Sequence, residues 1–304
     1  MHGQLIGGVR RFNRTVTQRV GALDDAYLSR GRPLGQARVL WEIGTRGCEV
    51  RALRSRLDLD SGYLSRLLRT LEADGLVAVD ADGADGRVRR ARLTPAGRAE
   101  RAALDRSSDE LAASILRPLN GHQRDRLVAA MAEVERLLVA SMVDVAVLDP
   151  RHPDARRCIA AYFAELEQRF DNGFDPTATR PAGDRELSPP AGLMLVATLH
   201  AEPVGCAGLK LHPDRVTAEV KRMWVSPTVR GLGLGRRLLA EVETRAAALG
   251  VHRLRLDTNR ALAEAIGLYR AAGYREVPPF NDEPYAHHWF EKTLARKGKP
   301  HATR

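Results

Sequence analysis

Apolar positions recur at helical spacing through most of the first 145 residues. Leu5, Val9, Phe12, Val16, Val20 and Leu23 fall three or four apart, predicting one helix across residues 4–30 with a single apolar stripe. The run from Gly31 to Gly35 breaks it, and a second helix is expected from Gln36 to Ile43, stopped by Gly44 and Gly47. Two short helical segments follow, 51–57 and 61–73, with Asp60 or Ser61 as the N-cap of the second. In that segment Leu64, Leu67, Leu68 and Leu71 mark the inward face, which leaves Gly62, Tyr63, Ser65, Arg66 and Arg69 outward. Gly75 is expected to close it. Alternation then predicts strands at 76–80 and 89–93 around an Asp/Gly-rich tip, 82–87. Two long helices come next, about 95–117 and 121–142. Their stripes (Leu104, Leu111, Ile115; Leu127, Val134, Leu137, Leu138) exceed what one small domain buries.

A Pro-rich junction, Asp149 to Pro153, separates this region from one with a different rhythm. A helix is expected over 155–170, then a stretch without periodicity, 171–191, whose length marks a functional loop or disorder. Residues 193–199 and 204–211 read as a hairpin, and Glu219 to Val225 as a strand. A helix follows, carrying Leu234, Leu238, Leu239 and Val242, then a strand at 253–257, a helix at 261–272 and a last strand at 286–294. Strict alternation puts Glu219, Lys221, Met223 and Val225 on one strand face and Val220, Arg222 and Trp224 on the other.

The chain is organised around the link between that strand and its helix: a Ser226-Pro227 turn, then Arg230-Gly231-Leu232-Gly233-Leu234-Gly235. Glycines leading into a helix leave backbone N–H groups pointing outward beside the positive end of the helix dipole, a cradle for a pyrophosphate. Glycines at 231, 233 and 235 do not fit G-x-G-x-x-G, and no Gly-Lys-Ser/Thr follows for a Walker loop. The loop is similar to the R/Q-x-x-G-x-G/A acyl-CoA loop of the GNAT acetyltransferases, with Arg230, Gly233 and Gly235 in its defined positions. The order of elements over 145–295 resembles that family too.

That resemblance implies a mixed α/β acyltransferase fold and acetyl-CoA as cofactor. It implies a cofactor site of Met223, Trp224, Val225, Arg230, Gly231, Leu232, Gly233, Leu234, Gly235, Arg236, Asn259 and Tyr269. The Met223 N–H would face the thioester oxygen, and Tyr269 would protonate the departing thiolate. Glu219, 11 positions before Arg230, stands where several members keep a catalytic glutamate, and burial is expected to raise its pKa toward that of a general base. Asp282, Tyr285 and His288, just before the last strand, are candidates for reading the acceptor. The paired histidines have no third ligand at zinc spacing, so no metal is expected.

In the first half, small polar and arginine side chains on the open face of a helix, followed by a basic hairpin, read as a winged helix-turn-helix. Residues 5–143 resemble the MarR regulators, down to Asp85 and Arg87 in the hairpin and the Leu-Thr-Pro-Ala-Gly of 93–97. The resemblance implies duplex DNA contacts by Ser61, Tyr63, Ser65, Arg66, Arg69 and Arg87, and a homodimer through the first and last helices.

Composition changes this picture little. A chain of 304 residues suits an α+β multidomain protein: a mostly helical winged helix-turn-helix at 1–144, a mixed α/β GNAT-like domain at 145–297 and a basic tail at 298–304. The net charge of +10 suits a nucleic acid and a polyanionic cofactor alike. No apolar run approaches the ~20 residues of a membrane span, no signal-peptide pattern opens the chain, and three scattered cysteines fit a reducing cytoplasm. The expected function is that of a MarR-type regulator joined to an N-acetyltransferase, moving acetyl from acetyl-CoA to an amine by direct attack. Two alternatives stay open: a regulator that senses acetyl-CoA without turnover, and an enzyme whose first half only dimerises. The acceptor is equally open among amino acids, polyamines, antibiotics and protein lysines, and the operator sequence is unread.

Overall fold

The structure, a computed structural model, describes residues 2–23, 27–81, 88–171, 173–179 and 182–294. The chain divides into two compact units, Met1–Ala132 and Glu133–Arg304. Among the described residues no helix is long and apolar enough to cross a membrane.

The first unit begins with α1 (His2–Arg19), α2 (Leu34–Ile43), a two-residue strand β1 (Cys48–Glu49), α3 (Val50–Leu57) and α4 (Ser61–Ala73). It continues with β2 (Val77–Ala81), β3 (Arg89–Leu93), α5 (Pro95–Leu116) and the start of α6 (Gly121–Ser141). The strands form one antiparallel sheet in the order β1-β3-β2. The predicted leucines converge: Leu64, Leu68 and Leu71 of α4 bury against Leu40, Leu53 and Leu104. Asp60 caps α4 by accepting from the Tyr63 N–H at 2.8 Å.

One expectation fails here. The first helix stops at Arg19 rather than near residue 30, because Gly21 turns left-handed (φ 64°) and leaves Leu23 exposed. Strand β1 is too short to show alternation and went unread. The Leu-Thr-Pro-Ala-Gly motif has a steric reason. Thr94 caps α5, accepting from the Gly97 N–H and donating to the Gly75 carbonyl at 2.7 Å. A Cβ on Gly97 would stand 1.9 Å from the Leu76 carbonyl oxygen.

The second unit is built on a seven-stranded sheet, in the order β4 (Asp144–Leu148), β5 (Gly192–Leu199), β6 (Glu202–Leu211), β7 (Thr217–Val225), β8 (Arg253–Thr258), β10 (His288–Thr293), β9 (Arg275–Val277). Every pairing is antiparallel except β7–β8. Helix α7 (Pro153–Arg169) covers one face, where Cys158 and Ile159 meet Met194, Val196 and Cys206. Helices α8 (Leu234–Ala248) and α9 (Ala263–Ala271) cover the other, where Leu238, Leu239 and Tyr269 meet Leu195, Leu209, Leu254 and Phe290. Alternation along β5 sends Leu193, Leu195 and Ala197 to one layer and Met194 and Val196 to the other. Strand β9, three residues long, was also missed.

Gly97→Ala is expected to destabilise the protein by about 1–3 kcal/mol or more, since backbone must move to admit the methyl. Gly121→Ala, where the methyl meets nothing within 4 Å, should be near neutral in the same denaturant melts. Equal midpoints for the two would remove the steric reading of the motif.

Candidate functional site

Strands β7 and β8 separate soon after they meet. They pair only at Thr217↔Arg253, Ala218↔Leu254 and Glu219↔Arg255. Beyond that β8 pairs with β10, while β7 runs on to Val225 paired with β6 alone. The β7 edge from Val220 onward therefore faces a wedge instead of a strand.

Two cavities fill this wedge and share lining at Tyr162, Leu166, Met223, Leu262, Ala265 and Tyr269. The larger, about 500 Å³, is walled by Trp224, Val225, Arg230 and the glycine loop. The smaller, about 120 Å³, is walled by Lys221, Arg222, Asp257, Glu283 and a group of aromatic rings.

The larger cavity fits a pyrophosphate-bearing cofactor. Gly233 is the N-cap of α8 at φ 77° and has no side chain to cap with, so the first-turn N–H groups of α8 are left for a ligand. A Cβ at Gly231 (φ 83°) or Gly233 would meet no atom within 4 Å, so the loop backbone is open to approach, although a side chain there would be strained. Leu234, Gly235 and Arg236 also line this cavity, while Leu232 packs against the core of the α8 layer. Arg230 is held from behind: its Nη2 reaches both Glu165 oxygens (2.7 and 2.5 Å) and its Nε the Val225 carbonyl. Glu165 also accepts from the Trp224 indole at 2.9 Å. Burial pushes its carboxyl up, but Arg230 and Trp224 outweigh that and hold it below the ordinary value.

The expected strand faces need correction. Between Cys206↔Trp224 and Gly208↔Lys221 the register slips, leaving Ala207 against both Arg222 and Met223. This is a β-bulge, and Arg222 sits in it at φ 51°. The extra residue shifts the alternation by one, so Met223 and Val225 join Val220 on the α8 side, whereas Trp224 packs toward α7. Glu219 and Met223 consequently do not share a face.

Glu219 is corrected as well. It is buried, but its Oε1 lies 2.5 Å from His212 Nε2 and its Oε2 2.8 Å from Lys221 Nζ. Burial alone would push its pKa up; Lys221 and His212 outweigh that and hold it below the ordinary value. Lys221 in turn binds Asp257 at 2.6 Å, and Asn281 donates to the same Asp257 oxygen at 3.1 Å. Burial pulls Lys221 down, yet Asp257 and Glu219 together raise it. Glu219 lines neither cavity.

The remaining candidates divide. Tyr269 is buried where the cavities join, and burial pushes its phenol well above the ordinary value. Asn259 lines the smaller cavity, not the glycine-loop one, with its amide donating to the Tyr285 carbonyl and accepting from the Ala261 N–H. Tyr285 lines the smaller cavity, its hydroxyl accepting from the Asp175 N–H at 3.0 Å. Asp282 and His288 line neither; His288 instead meets Glu276 at 2.6 Å. The sequence reading missed Tyr162, Arg222, Asp257 and Glu283. Glu283 is the carboxyl raised above its ordinary value, by burial first and then by the charge of Asp257.

On α4, Ser61, Tyr63, Arg66 and Arg69 are exposed and Ser65 partly so, with the Arg66 guanidinium 5.7 Å from the Tyr63 ring centroid. Asp85 and Arg87 lie outside the described residues.

Comparison with known proteins places both halves. Residues 160–274 match the model of the acetyltransferase (GNAT) family, and residues 30–88 that of the MarR family. An IAA acetyltransferase of Azospirillum brasilense is 40% identical over 135 residues, covering 44% of this chain and 87% of that protein. An uncharacterised N-acetyltransferase of Schizosaccharomyces pombe is 35% identical over 134 residues, 43% of this chain and 80% of that protein. The N-alpha-acetyltransferase RimI of Mycobacterium tuberculosis is 35% identical over 127 residues, 41% and 74%.

Because Glu219 titrates below its ordinary value in the fold, the stability it contributes is present above that value and is lost as pH falls through the folded pKa. Glu219→Gln should cost about 1–3 kcal/mol at pH 7, and the gap to wild type should narrow as the pH is lowered past about 4.5. Denaturant melts across pH test this, and a gap unchanged down to roughly pH 3 would rule out the ion pair as its source.

Proposed function

The chain belongs to the acetyltransferase (GNAT) family and carries a MarR-family domain ahead of it, and from that premise we propose that it turns over a small amine acceptor and binds duplex DNA. It is an N-acetyltransferase whose acetyl donor is acetyl-CoA, which when bound supplies the acetyl group as a thioester. The reading rests on one observation: the two cavities meet at Met223 and Tyr269, in the wedge where β7 leaves β8.

The α8 N-terminus with Gly231, Gly233 and Gly235 would hold the pyrophosphate, and the open β7 edge the pantetheine. The Met223 N–H is the donor for the carbonyl oxygen on which charge develops. Glu283, its carboxyl raised above the ordinary value by burial and by the charge of Asp257, takes a proton from the acceptor ammonium, and the lone pair so freed then attacks the thioester carbon. Tyr269, kept protonated by burial, gives the proton that the thiolate needs as the C–S bond breaks. The ammonium loses two protons overall, one balanced by the thiol and one released to solvent. Glu219 acts by fixing Lys221 and Asp257 at the base of the wedge.

In the first half, α4 supplies Ser61, Tyr63, Ser65, Arg66 and Arg69 to a DNA groove and backbone. Leu5 and Val9 on α1 and Leu137 and Leu138 on α6 are more than half exposed. Such apolar stripes are the surfaces of a homodimer.

Thiol release from acetyl-CoA against an amine panel, run beside calorimetry of acetyl-CoA binding, tests the enzyme. Tyr269→Phe and Glu283→Gln should each lower kcat by about 10²-fold while acetyl-CoA still binds. Tight binding with no release for any amine would favour a sensor instead. On DNA, Arg66→Ala with Arg69→Ala should weaken binding across sequences and flatten the slope of log K against log salt by about 0.9 per lost phosphate contact. An unchanged slope would leave the first half as a dimerisation scaffold.

A further inference from the structure

The smaller cavity concentrates rings. In a chain with six Phe, six Tyr and three Trp, its lining takes Tyr162, Phe163, Phe170, Phe174, Tyr269 and Tyr285. Five of these touch in series: Tyr162–Phe163 at 5.5 Å, Phe163–Phe174 at 5.5 Å, Phe174–Tyr285 at 5.0 Å and Tyr285–Phe170 at 5.7 Å between centroids. They come from α7, from the stretch after it and from the stretch before β10, so the wall forms only when three segments pack together.

Most polar groups in the lining already have partners. Lys221 Nζ lies 2.6 Å from Asp257 and 2.8 Å from Glu219. Arg222 gives Nη2 to the Ala182 carbonyl at 2.6 Å, and its Nε and Nη1 are sealed from solvent. Among the described residues, an anion entering the cavity thus meets no cation that is both unneutralised and within reach. The Asn259 amide donates to the Tyr285 carbonyl and accepts from the Ala261 N–H, and the Thr179 hydroxyl donates to the Pro176 carbonyl. Glu283 differs. It lines the cavity, makes no ion pair among the described residues and faces the like charge of Asp257. The charge left open on this wall is negative.

An unpaired carboxylate away from bulk water is satisfied by an ammonium. A wall of rings gains most from a further ring, stacked or edge-on. A carboxylate brought in on the guest would be desolvated without a partner and repelled by Glu283. A polyamine would leave a second ammonium among the rings with no second unpaired carboxylate to meet it. A lysine within a protein brings methylenes, which fill space without ring geometry. The volume, about 120 Å³, is well below the roughly 300–1,000 Å³ of drug-sized sites and suits a compact guest.

We propose that the acceptor is a small primary monoamine bearing one apolar ring and no carboxylate, its ammonium toward Glu283 and its ring against Phe170, Phe174 and Tyr285. This rests on the acetyl-transfer reading and adds the substrate class to it.

The test is kcat/KM for thiol release with 2-phenylethylamine, L-phenylalanine, L-phenylalaninamide, hexylamine, spermidine and a lysine peptide blocked at both ends. In wild type 2-phenylethylamine should exceed L-phenylalanine by about 10- to 100-fold, the effect of an unpaired buried charge, with the carboxamide between them. It should exceed hexylamine by about 2- to 10-fold, the range of a ring pair. Phe174→Leu should erase that second preference through KM for the amine and leave KM for acetyl-CoA unchanged, since Phe174 lines the smaller cavity and not the larger. L-phenylalanine matching 2-phenylethylamine in wild type, a comparison that needs no variant to fold, would overturn the inference and leave acetyl transfer standing. Equal or faster release with hexylamine, spermidine or the peptide would do the same. If no amine releases thiol, calorimetry into protein saturated with CoA separates the two readings. Heat with 2-phenylethylamine and none with L-phenylalanine would sustain the ring-amine site while acetyl transfer falls. Equal heats, or none, would overturn both.

Discussion

The second unit depends on a parallel pairing only three residues long. Had β7 and β8 stayed in register beyond Glu219 and Arg255, the sheet would be continuous and its middle would be solid core. Their parting is made tolerable from both sides: β6 keeps pairing β7, and β10 keeps pairing β8. Each strand keeps a paired neighbour on one side, β7 across its bulge and β8 along its length, while its other edge is freed, so the opening lacks the instability of an isolated edge strand.

The base of the wedge is pinned by charge. His212, Glu219, Lys221, Asp257, Asn281 and Trp289 form a continuous chain of hydrogen bonds and ion pairs from the β6–β7 turn to β10. Each buried charge has an opposite partner, the condition under which such groups are tolerated away from water. This chain accounts for Glu219 better than catalysis does. A carboxylate held by the Lys221 ammonium and the His212 ring is a poor proton acceptor, whereas Glu283, desolvated and facing like charge, is a better one.

Most of the elements were legible because their signals are local. The α4 leucines and the Leu234-Leu238-Leu239-Val242 face each occupy a few adjacent turns, and the fold placed them as periodicity predicted. The bulge was illegible, because one inserted residue leaves no mark in a composition of Lys, Arg and Met. It nevertheless reversed the facing of Met223 and Val225. Strands β1 and β9 are shorter than one period of alternation. Burial of Glu219 was foreseen correctly and its consequence was not, since His212 comes from a turn that the strand pattern says nothing about.

The two halves of the site differ in legibility for a physical reason. The glycine-loop side is open backbone, and backbone exposure has a signature in sequence: glycines at φ 83° and 77° before an uncapped helix. The smaller cavity is walled by side chains drawn from α7, from β7, and from the irregular stretches around Phe174, Ala182 and Glu283. Those stretches carry no period, and their packing is set by tertiary partners such as the Asp175 N–H on Tyr285 and the Ala182 carbonyl on Arg222. A shared chemistry at the glycine loop can therefore be read from a hexamer. Which polar groups stay unpaired once the loops have packed is fixed only by the folded arrangement.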